Sequence, residues 1–204
     1  MWDTDYRILS ELITDQARIK PEIGDYGNLQ ITLTETNESI NYSISFQSVP
    51  ENIFVFKSDE FPAPKTIFND SKNECKRADY IIFVERRDEK YAIFLELKLG
   101  NDTNTSIIEQ LKGSLGLFGY CRKIGQVFWS EEGFLENYRI CFVAIKNIPS
   151  ERIKKTKPRY DRNQPLCHTE DIAFAVANVP RKIVIFRHQS RIYFEQFFQK
   201  IIQD

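Results

Sequence analysis

The 204-residue chain has only two histidines, His168 and His188, which excludes a histidine-rich metal centre. Its four cysteines, Cys75, Cys121, Cys141 and Cys167, are widely and irregularly spaced with no C-x-x-C pair. That spacing excludes a recognisable zinc ribbon and argues against a disulfide framework. Cys167 and His168 are adjacent, but sequence neighbours rarely reach nucleophile–base geometry, so no thiol nucleophile is read there. There is no apolar run long enough to span a membrane, no signal-peptide core in the acidic start MWDTDYRI, no internal repeat, no low-complexity tract and no Gly-rich phosphate loop. These absences set the expectation of a cytoplasmic protein with no membrane partner. Net charge is also scarce: 28 Lys and Arg against 29 Asp and Glu leave -1, so any nucleic-acid contact must come from local basic patches.

What is present is apolar content of 42%, enough to build one core without disulfide or metal staples, and residues 1–204 read as a single domain. The organising stretch is Lys76 to Gly100. Asp79 to Glu85 and Tyr91 to Lys98 read as two strands joined by the charged tip Arg86, Arg87, Asp88 and Glu89. Alternate strand residues share a face, so Ala92, Phe94, Glu96 and Lys98 point one way and Tyr91, Ile93, Leu95 and Leu97 the other. Both faces are apolar until the end, the pattern of a central strand covered on both sides. Pairing Glu85 with Lys90 puts position 83 opposite 92, 81 opposite 94, and Asp79 opposite Glu96. Two carboxylates so opposed have Cβ atoms roughly 4.5–5.5 Å apart and repel. With Lys98 two residues on, the arrangement suits a hard divalent cation bound by oxygen.

Asp79, followed after a hairpin by Glu96, Leu97 and Lys98, resembles the signature of the PD-(D/E)XK nuclease superfamily, the restriction-endonuclease-like fold. The likeness runs from Asp79 to the strand near Lys146 in the order strand, strand, helix, strand, with Ala78 where the family usually has Pro. The resemblance implies a mixed β-sheet core flanked by helices, α/β in class, here with an extra N-terminal β-hairpin. It implies a metal-dependent nuclease hydrolysing phosphodiester bonds, with DNA as the expected substrate. Asp79, Glu96 and the Leu97 carbonyl would hold Mg²⁺ or Mn²⁺, and Lys98 would position or help deprotonate the attacking water. It further implies an accessory Glu on a preceding helix, for which Glu11 is the candidate, and a Gln on the following helix, for which Gln110 is the candidate. The competing reading is a non-catalytic nucleic-acid-binding or assembly subunit that retains the scaffold.

Elsewhere, residues 3–19 have the spacing of an amphipathic helix carrying Glu11, and Leu29–Thr34 with Ile40–Gln47 alternate as a half-buried hairpin. Ile53–Lys57 is a strand, and residues 58–75 form a loop whose Glu60 and Glu74 are alternatives to Glu11. Ser106 and Glu109 form a capping-box pattern opening a helix with Gly113, Gly116 and Gly119 in it. Three glycines at about 1 kcal/mol each suggest close packing or close approach by a ligand. Tyr138–Lys146 is a core strand. From Lys146 to Arg162 seven basic residues face two acidic ones, an excess of +5, and Lys154, Lys155, Lys157 and Arg159 are the candidate phosphate contacts. Ile172–Val176 fits strand or short helix, Lys182–Phe186 a strand. Arg191–Ile202 reads as a helix apolar around much of its circumference, which would serve a homodimer or a protein partner.

Overall fold

The computed structural model describes residues 2–24, 27–37, 40–100, 103–146, 166–172, 179–187 and 189–202. The basic stretch with Lys154, Lys155, Lys157 and Arg159, and most of Ile172–Val176, lie outside them. The described residues form a mixed α/β structure with two mixed sheets and three helices.

The centre is a hairpin of β6 (Tyr80–Arg86) and β7 (Glu89–Lys98), with Glu85 opposite Lys90, Phe83 opposite Ala92 and Ile81 opposite Phe94 as the sequence requires. Its loop is shorter than expected. Arg86 pairs with Glu89, and only Arg87 and Asp88 turn, at φ 55° and 63°. Two successive left-handed residues are what a two-residue turn needs to match the twist of its strands.

From β7 the chain passes through α2 (Asn104–Phe128) into β8 (Tyr138–Lys146), which lies parallel to β7 with Lys98 beside Lys146. A helix is the usual crossover for parallel neighbours. β5 (Ile53–Lys57) flanks β6, and β1 (Arg18–Ile19) flanks β5; on the other side stand β10 (Lys182–Arg187) and the edge strand β9 (Cys167–Asp171), giving the order β1-β5-β6-β7-β8-β10-β9. A second sheet packs on one face: β2 (Glu22–Ile23), β3 (Leu29–Asn37), β4 (Ile40–Gln47) and β11 (Arg191–Tyr193), in the order β11-β4-β3-β2.

The alternation along β7 explains why both faces are apolar. Tyr91, Ile93, Leu95 and Leu97 join a core with Ile31, Leu33, Ile44 and Phe46 of the second sheet and with Phe197 and Phe198 of α3 (Phe194–Ile201). Ala92 and Phe94 join a separate core with Ile107, Leu111 and Phe118 of α2 and with Ile8 and Leu9 of α1 (Trp2–Leu12).

Several boundaries differ from the sequence expectation. α1 stops at Leu12; Ile13 and Ala17 lie in the turn that leads to β1, where the Arg18 guanidinium lies over Tyr6 and Phe54. The cap of α2 is Thr103, whose hydroxyl accepts the Ser106 amide at 3.4 Å, so Ser106 is the third helical residue and not the cap. Arg191–Tyr193 is a strand parallel to β4 with Ile192 inward, and α3 begins only at Phe194. Within α3, Phe194, Phe197, Phe198 and Ile201 are all buried while Glu195, Gln196 and Lys200 face outward. The helix therefore has a polar outer face, while Ile202, just past its end, is half-buried. No helix is long and apolar enough to cross a membrane among the described residues.

Candidate functional site

Asp79 stands one step before β6, in line with Glu96 across the hairpin. Its backbone N–H donates to Glu96 Oε2 at 3.2 Å, and its own Oδ2 accepts the Leu97 amide at 2.6 Å. The two carboxylates are thus cross-bonded to each other's strands. Lys98 Nζ lies 2.5 Å from Glu96 Oε1. Asp79 is 6% exposed and Glu96 0%. Asp79, Glu96 and Lys98 therefore come together as the sequence reading requires. The Leu97 carbonyl, however, accepts the Tyr42 hydroxyl at 3.3 Å, which uses one of its two lone pairs.

The start of β6 is fixed from two sides. The Ser114 hydroxyl of α2 accepts the Ala78 amide at 2.8 Å, and one residue earlier on that helix a Cβ at Gly113 would overlap the Lys76 carbonyl oxygen. Gly113 is therefore the close-packing glycine of the three; Gly116 and Gly119 have open space in front of them. On the other side, buried Ser58 donates its amide to the Asp79 carbonyl at 2.9 Å and its hydroxyl to the Ala78 carbonyl. That pins the chain leaving β5 against Asp79, and the next residue is Asp59.

Asp59 and Glu35 are the residues that sequence reasoning missed. One carboxylate oxygen each from Glu35, Asp59 and Asp79 lies within 4.8 Å of the others. Glu35 comes from β3, on the face that carries buried Ile31 and Leu33, opposite Tyr42. Its signal was an ionisable residue two positions after an inward apolar pair. Asp59 had no sequence signal, because twenty-two residues of chain separate β5 from β6.

None of the expected accessory acids belongs to this group. Glu11 is exposed on α1, bound to Arg7 at 3.2 Å and to the Trp129 indole at 2.5 Å, just past the far end of α2. The indole bond, then Arg7, holds its carboxyl below the usual range. Glu74 accepts the Lys72 amide within its own turn, and Glu60 is exposed beside Asp59. Gln110 is half-buried on α2, one helical turn before Ser114. His168 and Cys167 lie on opposite faces of β9: His168 Nε2 is 2.9 Å from Glu170 Oε1, whereas Cys167 packs toward the second sheet.

The electrostatics of the group are those of carboxylates without enough counter-charge. Burial first, then Glu96 and Glu35, pushes the Asp79 carboxyl well above its ordinary range, against the Leu97 amide and Lys98. Burial pushes Glu96 up to about 7 even though Lys98 pulls it down. Burial likewise raises Glu35, with Asp59 adding to it, and raises Asp59. The group gathers carboxylate oxygens from half-buried Glu35, exposed Asp59 and buried Asp79, the hard oxygen donors that a divalent cation of the Mg²⁺ or Ca²⁺ kind takes.

Comparison of the chain with protein-family models, with curated proteins and with solved structures returned no match.

Proposed function

We propose that this protein is a metal-dependent phosphodiesterase of the PD-(D/E)XK type, with a restriction-endonuclease-like core built from β6, β7, α2 and β8, and that its substrate is DNA. The observation that carries the reading is the strand-end constellation: Asp79 and Glu96, both buried, cross-bonded between adjacent strands, with Lys98 in contact with Glu96. Buried carboxylates that repel are costly to keep in a core. A fold that needed only stability there would hold apolar residues.

In this reading Asp79 and Glu96, with Glu35 and Asp59 beside Asp79, would hold Mg²⁺ or Mn²⁺. The Leu97 carbonyl, which accepts the Tyr42 hydroxyl, would be a further oxygen donor. The cation, when bound, polarises a phosphoryl oxygen and lowers the pKa of a water. Lys98, anchored by Glu96, keeps an ammonium beside that position, where it orients the water and offsets charge developing on the phosphate. Ser58, Ser114 and Gly113 hold the Ala78–Asp79 segment still, which the chemistry requires because a misplaced ligand costs rate steeply.

The test is cleavage of plasmid and linear duplex DNA by the full chain. Cleavage should require Mg²⁺ or Mn²⁺ and should disappear in Asp79→Ala, Glu96→Ala and Lys98→Ala while circular dichroism shows an intact fold. Undiminished cleavage in EDTA, or full activity in Lys98→Ala, sinks the proposal. Cation-dependent DNA binding without any cleavage favours the non-catalytic subunit instead.

A further inference from the structure

Asp79 immediately precedes β6 of the first sheet, whereas Glu35 lies on β3 of the second. Where β3 meets the hairpin near the site, three hydroxyl contacts bridge the layers: Tyr80 OH accepts the Thr34 amide at 3.0 Å and donates to the Thr34 carbonyl at 2.6 Å, and Tyr42 OH donates to the Leu97 carbonyl. Against them stand the carboxylates of Glu35, Asp59 and Asp79, within 4.8 Å of one another. The cations facing Glu35 are Lys98 and Lys57, and Lys98 is already in contact with Glu96. Deeper in the interface the apolar residues Leu33, Ile44 and Leu97 hold the sheets together. At the end of β3, therefore, hydroxyl bonds that are individually modest oppose like-charge repulsion. A divalent cation among these oxygens reverses the sign of that repulsion, because each carboxylate is then attracted to a shared centre.

We propose that Glu35 makes the docking of β3 at Thr34 and Glu35 onto the first sheet depend on the cation, so that this side of the site is completed only when the site is loaded. This rests on the cation-site reading above. It adds that Glu35 is a positioning residue acting between sheets, and it makes the second sheet, which lies outside the strand, strand, helix, strand core, a cation-responsive part of the site.

The Thr34 amide is a direct reporter, since its hydrogen bond to Tyr80 exists only when the sheets are docked. Amide exchange is followed by NMR in the full chain, in EDTA and in saturating Mg²⁺, with Ile93 in the hairpin core as reference. In wild type, Thr34 exchange should slow about tenfold on adding Mg²⁺ with Ile93 unchanged, because only local opening is affected. In Glu35→Gln the slowing should fall below about twofold. Glu35→Lys, which supplies a fixed positive charge at the same place, should give a slow Thr34 amide even in EDTA. Equal slowing in wild type and Glu35→Gln, or a Thr34 amide equally protected in EDTA and Mg²⁺, overturns the proposal while leaving the nuclease reading intact. If Mg²⁺ changes neither exchange nor melting of wild type, both fall. If Thr34 responds as expected but no DNA is cut, the coupling stands and the nuclease assignment fails.

Discussion

Replacing Asp79 by Asn isolates the charge at the centre of the site. Asn presents a carbonyl oxygen to the Leu97 amide that Asp79 Oδ2 accepts at 2.6 Å, so that bond is retained while the charge is removed. That charge stands within 4.8 Å of Glu35 and of Asp59, which at an effective dielectric of about 20 is about 3.5 kcal/mol per fully ionised pair. Proton uptake relieves part of this, because burial and the neighbouring carboxylates already raise Asp79 and bring Glu96 up to about 7. A carboxyl whose folded pKa is raised stabilises the fold below its unfolded value of about 4 and loses that stability as pH rises through the folded value. Cation-free wild type should therefore weaken between about pH 4 and pH 8, and Asp79→Asn should flatten this decline. At pH 8 in EDTA the net gain of Asp79→Asn is about 1–3 kcal/mol, or about 2–12 °C in Tm for a chain of this size. Saturating Mg²⁺ at a hundred times Kd returns about 2.7 kcal/mol to wild type and much less to the mutant, which closes or reverses the gap. Differential scanning calorimetry at pH 5, 6.5 and 8, with EDTA and with Mg²⁺, measures all of it. Equal Mg²⁺ increments in both proteins, or an Asp79→Asn protein less stable than wild type in EDTA at pH 8, would refute the reasoning.

Other expectations concern parts away from this centre. Asp5 is 1% exposed and accepts Lys90 Nζ at 3.0 Å, the Tyr138 hydroxyl at 3.0 Å and the Leu135 amide at 3.2 Å. Asp5→Ala leaves a buried ammonium unpaired and should cost about 3–5 kcal/mol in urea unfolding; a decrease below about 1 kcal/mol would mean that water reaches Lys90 freely. On α2, Gly116→Ala should raise stability by up to about 1 kcal/mol, because nothing stands within 4 Å of its Cβ position, whereas Gly113→Ala should lower it through overlap with the Lys76 carbonyl. The same sign for both substitutions in thermal melts would contradict the packing described. Neutralising Lys154, Lys155, Lys157 and Arg159 together should weaken DNA binding and reduce the slope of log K against log salt, by about 0.9 for each phosphate no longer neutralised; an unchanged slope reduces the stretch to solvated surface.

The hairpin was legible because its constraints are local and redundant. A strand apolar on both faces must be central, two such strands separated by a charged tip must pair, and one register places charges opposite charges at a single end. Changing the loop from four residues to two did not disturb that register, since Arg86 and Glu89 simply extend the ladder outward. Element ends were less legible for a physical reason. Residues 3–19 carry a helical apolar spacing that runs on through Ile13 and Ala17, yet Arg18 and Ile19 pair as β1 with β5, a partner more than thirty residues away that the local pattern does not show. Arg191–Tyr193 was missed in the same way, because only pairing with Ser45–Gln47 makes it a strand.

The composition of the acidic group shows where sequence periodicity stops informing on chemistry. Glu11, Glu60 and Glu74 were candidates by position along the chain, and Glu35 was not, although Glu35 alone obeyed a face rule: Ile31, Leu33 and Glu35 share one side of β3. An ionisable residue continuing an inward stripe has two outcomes. Either the strand has run past the edge of the core, so that the side chain is solvated, or the partner layer supplies a polar counterpart at that level. Which one holds depends on how far the facing sheet extends, and that is fixed by Tyr80 and Tyr42, whose hydroxyls bond Thr34 and Leu97 across the gap. Those two tyrosines set β3 at the height where its next inward residue meets Asp79. The site is therefore defined by the stacking of two sheets as much as by the strand that carries Glu96 and Lys98. Ablating either hydroxyl should displace Glu35 without touching a single carboxylate, so Tyr42→Phe and Tyr80→Phe ought to weaken Mg²⁺ stabilisation while leaving the hairpin register unchanged.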